Sequence, residues 1–252
     1  MRHALQWLLS LVFVIQMYVA MIGLAAVFTP VALIWRGASF FWMQTFCRWT
    51  RFSARWIIGL RTEVRGEIPT GAVLVASKHQ SFLDSIMLFS VLTGPRFIMK
   101  KQLAWIPVMG WHALRIGCVP VDRGKRGAAI KMMLARVEQG TQAPGQLIIY
   151  PQGTRTAPGA VMPYKMGTAA LYQELGQDCV PVATNVGLFW PRHGILRKPG
   201  LAVVEFLPRI APGLPNGAFM AQLESGIEAA SDRLMREAGF QTPSDHAGRN
   251  GQ

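Results

Sequence analysis

The chain has 252 residues, enough for one sizeable buried core with an appended membrane element but tight for two full domains. Hydrophobic residues make up 51% of it against 15% charged, with a mean hydropathy of +0.25, which is too apolar for an ordinary soluble domain and implies a membrane. Lysine and arginine number 26 against 13 acidic residues, a formal +13. Such a surface attracts polyanions, whether nucleic acid, anionic lipid or phosphorylated substrate, and charge alone does not choose among them. Cys47, Cys118 and Cys179 are far apart and form no C-x-x-C or Cys/His spacing, so neither a zinc site nor a disulfide framework is indicated.

In chain order, the apolar excess comes first. From Ala4 to Trp35 there is no formally charged residue. Ala4 to Phe28 alone would make a helix of roughly 37 Å, enough to cross a bilayer core of about 30 Å. Pro30 is expected to end or kink it. A second apolar, aromatic segment runs from Ala38 to Ile58 and carries Arg48, Arg51 and Arg55. Their three- and four-residue steps line one helix face, which suits an interfacial helix with Phe40, Phe41, Trp42 and Phe46 in the acyl region. A first core helix of a soluble domain is the alternative. A cleaved signal peptide fits poorly, because the apolar run exceeds a normal h-region. Arginines after the run place the rest of the chain on the cytoplasmic side.

After about Gly59 the pattern changes. Short apolar runs at Val73 to Ala76, Phe97 to Met99, Cys118 to Val121, Leu147 to Tyr150, Val180 to Thr184 and Leu201 to Phe206 read as strands. Helices are expected at Ser81 to Thr93, Gly127 to Gln139, Lys165 to Leu175 and Phe219 to Ala238. This is an α/β rhythm. The division is 1–58 membrane-binding helices, 59–240 a single α/β domain, and 241–252 a polar, disordered tail.

Chemistry gathers after those strands. Lys78-His79-Gln80-Ser81-Phe82-Leu83-Asp84 follows the first. In one regular helix His79 and Asp84 would point roughly 140° apart. With His79 in the loop and Asp84 in the first helical turn, the carboxylate can fix the imidazole tautomer and leave the other nitrogen to take a proton. A lone pair of this kind also occurs as a capping or surface pair. Val119-Pro120-Val121-Asp122-Arg123-Gly124 and Tyr150-Pro151-Gln152-Gly153-Thr154-Arg155 each deliver an arginine into a glycine-containing turn, with Lys165 and Gly167 after the second. Guanidinium binds phosphate bidentately and glycine lets backbone N–H groups approach, so the two loops resemble a phosphate clamp. Surface arginines satisfying loop carbonyls are the alternative for either loop alone. Val180-Pro181-Val182 by itself signals only core.

Taken in order, His79-x4-Asp84, the Val-Pro-Val-Asp-Arg segment ending at Arg123, the Pro-x-Gly-Thr-Arg segment ending at Arg155 and Val180-Pro181-Val182 resemble the lysophosphatidic acid acyltransferases, within the wider glycerolipid acyltransferase group. Lys100-Lys101-Gln102-Leu103, with Pro107 and Gly110, resembles that family's connecting element. The resemblance covers roughly residues 60 to 210. It implies an α/β domain with a mixed sheet flanked by helices, preceded by an N-terminal hydrophobic membrane element. It also implies that His79 is the general base, oriented by Asp84. Arg123 and Arg155, with Gly153, Thr154 and Lys100 or Lys101, would hold a substrate phosphate, and Val180, Pro181 and Val182 would shape the acyl pocket. Gln152 stands where the family usually has glutamate, and Tyr150 where it usually has phenylalanine.

The expected reaction is acyl transfer from acyl-CoA or acyl carrier protein to the sn-2 hydroxyl of 1-acyl-glycerol-3-phosphate. It needs no metal, no further cofactor and no nucleic acid, and it takes place at the inner membrane with the catalytic domain facing the cytoplasm. The absence of a Gly-x-Ser-x-Gly elbow favours direct transfer over an acyl-enzyme. Another acceptor such as a lyso-ornithine lipid, or water in a membrane-tethered hydrolase, are the alternatives.

Overall fold

The computed structural model describes residues 2–121, 131 and 145–241. The expected helix at 127–139, apart from position 131, the second-cluster Arg123 and nearly all of the 241–252 tail lie outside them. The chain opens with α1 (Arg2–Ile34) and α2 (Gly37–Ile57). Early positions of one meet late positions of the other. Gln16 Nε2 donates to Ser53 Oγ at 2.9 Å, Trp49 Nε1 donates to Gln16 Oε1 at 3.0 Å, and Phe28 packs on Phe41, so the two form an antiparallel hairpin. α1 runs through Pro30 instead of ending there. Proline removes its own N–H from the ladder and crowds the carbonyl four residues back, and beside it the Thr29 hydroxyl donates to the Ala25 carbonyl at 2.6 Å. The helix is long and apolar enough to cross a membrane, and only 17% of its most apolar window is buried. That share is too low for a core helix of a soluble domain.

Behind the hairpin stands a seven-stranded mixed sheet. Its strands are β1 (Leu60–Arg65), β2 (Val73–Ser77), β3 (Arg96–Lys100), β4 (Val119–Val121), β5 (Gln146–Ile149), β6 (Cys179–Thr184) and β7 (Gly200–Phe206). They are ordered β1-β7-β6-β2-β5-β3-β4, and only β6 and β7 run antiparallel. α3 (Phe82–Val91) and α4 (Met109–Arg115) follow β2 and β3, α5 (Gly167–Leu175) precedes β6, and α6 (Asn216–Glu237) closes the described chain. Alternate residues of β2 serve opposite cores, because successive side chains of a strand point to opposite faces. Val73 and Val75 join Trp42, Phe46, Leu83 and Met87 beneath the hairpin. Leu74 and Ala76 join Leu171, Tyr172, Phe219 and Leu223 beneath α5 and α6. Burial on both faces explains the unbroken apolar runs of β2 and β6.

β1 is absent from the sequence expectations. Its Leu-Arg-Thr-Glu-Val-Arg composition is that of a half-exposed edge strand, where charged side chains are tolerated and guard against pairing with other chains. α4 and the 3₁₀ turn Lys101–Trp105 before it were likewise unforeseen. β2, β3, β4, β5 and β6 all point their carboxyl ends to one edge of the sheet. That edge is where a ligand crevice forms in open α/β sheets.

Candidate active site

The loop leaving β2 is shaped by backbone bonds before any side chain acts. Lys78 N donates to the Val182 carbonyl at 2.9 Å, extending the ladder to β6, and Thr156 N donates to the His79 carbonyl at 2.7 Å. Ser81 then caps α3: its hydroxyl accepts from Leu83 N at 3.2 Å, while Asp84 reaches back to Ser81 N at 2.8 Å. This reciprocal cap satisfies helix-end donors, and it also holds Asp84 in place. Asp84 has no exposed surface. Oδ2 accepts from the N–H groups of Gln80 and Ser81, and Oδ1 meets His79 Nδ1 at 2.8 Å. Oδ1 also accepts from the hydroxyls of Ser85 at 3.3 Å and Tyr150 at 3.2 Å.

With Nδ1–H directed at Asp84, the remaining ring nitrogen of His79, Nε2, carries the lone pair. The ring is stacked on Tyr150 with centroids 3.8 Å apart and planes 15° from parallel. The Tyr150 hydroxyl also lies 2.6 Å from Ser85 Oγ. Burial, and then the Asp84 charge, push the Tyr150 phenol well above the ordinary tyrosine value, so it stays neutral and acts as a donor. The imidazole is thus fixed in plane, rotation and tautomer, which is what a general base toward a hydroxyl requires. One residue before it, Lys78 is buried and ion-paired with Glu228 of α6, which also accepts from Tyr164 OH at 2.8 Å. Buried charges need such partners. Neither Lys78 nor the Tyr150 stack was singled out from sequence.

The turn after β5 lies against this loop. Gly153 N donates to the Tyr150 carbonyl at 2.8 Å, with φ at +72°. The positive φ favours glycine, and the Lys165 side chain lies over it, 2.8 Å from where a Cβ would stand. Gln152 is buried, accepting from Thr156 Oγ1 at 3.1 Å and donating to the Met162 carbonyl at 3.4 Å. It braces the turn as a neutral side chain. Thr154 and Arg155 are half-buried. Arg155 Nη1 donates to the Arg192 carbonyl at 3.4 Å, and Arg192 Nη1 donates to the Arg155 carbonyl at 3.3 Å. Arg192 comes from the segment after β6, and nothing in its sequence surroundings marked it. Lys100 is exposed at the end of β3, on the same sheet edge. Val180, Pro181 and Val182 sit in the buried body of β6. An apolar cavity of about 480 Å³ lies elsewhere, bounded by Met21, Ala25 and Ala26 of α1, Trp42 of α2, and Pro107 and Met109.

The acyltransferase family model matches residues 61–185, from β1 through β6. That stretch is an acyltransferase domain of this family. It is similar to the 1-acyl-sn-glycerol-3-phosphate acyltransferase of Pseudomonas aeruginosa, 27% identical over 217 residues, covering 85% of this chain and 84% of that one. The human 1-acyl-sn-glycerol-3-phosphate acyltransferase alpha is 30% identical over 135 residues, 52% of this chain and 48% of the relative. Among solved structures, the 1-acyl-sn-glycerophosphate acyltransferase of Thermotoga maritima superposes with a TM-score of 0.75 at 18% identity, covering 93% of this acyltransferase and 99% of that chain. The likeness establishes a common fold that includes the region of the N-terminal hairpin.

Proposed function

We propose that this acyltransferase esterifies the sn-2 hydroxyl of 1-acyl-glycerol-3-phosphate with a fatty acyl group carried by coenzyme A or acyl carrier protein, forming phosphatidate for phospholipid synthesis. The observation that carries the reading is the 2.8 Å His79–Asp84 bond, which leaves Nε2 as the proton acceptor. His79 Nε2 takes the hydroxyl proton as the oxygen attacks the thioester carbonyl. The tetrahedral oxyanion collapses, the C–S bond breaks, and the thiolate recovers the proton from His79. No covalent enzyme intermediate is needed. Arg155 and Arg192, with Lys165 above Gly153, hold the acceptor phosphate, since among the described residues their guanidinium forks are tied only by long bonds to each other's carbonyls. Lys100 joins them from the end of β3, and Arg123 is assigned to the same phosphate from its sequence motif alone. The apolar cavity between hairpin and domain takes an acyl chain, a better fit than the packed interior of Val180, Pro181 and Val182.

The hairpin sits in one leaflet, at the cytoplasmic face of the inner membrane. Near its start, α1 is tied to the catalytic domain by Gln6 Nε2 donating to the Arg197 carbonyl at 2.9 Å and Ser10 Oγ accepting from Arg197 N at 2.9 Å. Near its end, Thr29 Oγ1 lies 3.1 Å from His112 Nε2, and Arg115 donates to the Leu33 carbonyl at 3.2 Å. A helix docked at both ends on one body favours lying along that body over crossing the bilayer. The deciding experiment supplies purified protein with acyl thioester, with and without lysophosphatidate, and follows thiol release and phosphatidate together. Phosphatidate formed in step with thiol supports transfer; thiol release independent of lysophosphatidate would mean hydrolysis.

A further inference from the structure

α2 and β1 border an open pocket of about 250 Å³ whose lining, Arg48, Arg51, Arg55, Arg61, Phe52 and Thr62, includes no residue of the His79 loop. Three guanidiniums come from α2 and the fourth from β1, two elements that meet only in the folded chain. Arg51 is fixed at the centre: Nε donates to Thr62 Oγ1 at 2.9 Å and Nη1 to Ser90 Oγ at 2.7 Å, while Arg48 Nε donates to the Ser90 carbonyl at 3.4 Å. Ser90 lies six residues beyond Asp84 along α3, roughly 9 Å of helix rise. The pocket is therefore separate from the catalytic loop. Among the described residues, no ion pair sets a carboxylate against any of the four arginines. Burial lowers the Arg51 pKa, and the Arg48 charge adds to the shift against an opposing effect of Cys47. Four like charges around one cavity are relieved by an anion, and guanidinium forks match phosphate oxygens.

The surroundings indicate which anion. On the adjoining face of α2, Trp49, Phe52 and Trp56 are 43%, 57% and 69% exposed. They form a row with ring centroids 5.8 and 6.3 Å apart, and the Arg55 guanidinium lies 5.6 Å from the Trp56 ring. Exposed aromatic rings beside clustered arginines suit a bilayer interface, with rings at the glycerol and acyl level and guanidiniums among phosphates. A soluble acidic protein offers no such apolar layer. We propose that the four-arginine pocket binds the phosphate of an anionic phospholipid that is neither donor nor acceptor in the reaction, orienting the catalytic domain on anionic membranes. This rests on the interfacial reading of α2.

The test measures co-sedimentation of the full-length protein with vesicles of phosphatidylcholine alone and of phosphatidylcholine containing phosphatidylglycerol, beside the variant R48Q/R55Q/R61Q, which leaves Arg51 in place. At about 5-fold per arginine, the variant should lose roughly 100-fold in affinity for the anionic vesicles. Its binding to neutral vesicles and its turnover in detergent micelles should stay within about 2-fold. Arg61→Gln alone, on the exposed β1 edge, should lose about 5-fold and serves if the triple variant folds poorly. Equal affinity of the parent protein for both vesicles would overturn the pocket while keeping the interfacial reading; binding to neither would overturn both. Isothermal titration with inorganic phosphate, without lipid, tests the other phosphate source: saturable binding lost in the variant while vesicle binding persists would make this a free-anion site. Impaired turnover of the variant with acyl carrier protein, again with vesicle binding intact, would make it a carrier-docking surface.

Discussion

The His79 loop and the Arg155 turn are joined by the Thr156 N–H bond to the His79 carbonyl and by the Tyr150 ring, yet they are built on opposite principles. At the loop, five donors converge on the Asp84 carboxylate and a tyrosine ring covers the imidazole. At the turn, among the described residues, the Arg155 and Arg192 guanidiniums have only bonds of 3.3 and 3.4 Å to carbonyls, with Lys165 exposed beside them. Proton transfer needs a group whose tautomer and direction are set beforehand, whereas anion recognition needs donors left available for a ligand. On the proposed roles, partner bonds serve the first region and would blunt the second.

Breaking the rigid region should have the largest effect. If His79 is the proton acceptor, as proposed, His79→Ala should lower phosphatidate formation by about 10² to 10⁴-fold with vesicle binding unchanged. Asp84→Asn should lose less, because the imidazole remains but its tautomer is no longer imposed. Near-normal turnover of His79→Ala would remove the mechanism. The open region should respond selectively. Arg155→Ala should lower kcat/KM for lysophosphatidate by about 10- to 150-fold, the worth of one charge-assisted interaction. A phosphate-free monoacylglycerol should be used almost as before. Arg155→Lys should recover part of the loss, since an ammonium keeps the charge without the planar fork. Equal losses on both acceptors would make Arg155 a structural residue.

Smaller effects sharpen the contrast. Tyr150→Phe keeps the stack on His79 and removes the hydroxyl shared with Asp84 and Ser85, so kcat should drop only about 2- to 10-fold, the worth of one ordinary hydrogen bond. A loss beyond 100-fold would mean that the phenol contacts the reacting atoms. The smallest effect concerns the thiols. Burial pushes Cys118 up to about 11 and Cys179 up to about 12, leaving little thiolate at pH 8. Iodoacetamide at that pH should leave turnover intact and label these cysteines only after denaturation; rapid inactivation traced to either one would reopen the case for an acyl-enzyme.

The sequence carried what is local in the chain. The His79–Asp84 geometry was legible because a strand end, a loop and one helical turn span only six residues, and the Ser81 cap marks where the helix begins. The apolar character of α1, the six apolar strands and the basic face of α2 were legible because periodicity and uninterrupted apolarity are properties of contiguous residues. Other features depend on where distant segments come to rest. β1 escaped because an edge strand need not be apolar. Arg192 reaches Arg155 across 37 positions, and Arg61 reaches the α2 arginines only once β1 takes the sheet edge beside β7. Tyr150 reads as an ordinary strand-end residue until the pairing of β2 with β5 sets its ring on His79. Residue preferences act over a few positions, whereas sheet order and helix packing follow from burial of the whole chain. The tertiary structure alone therefore decided which cations share a site.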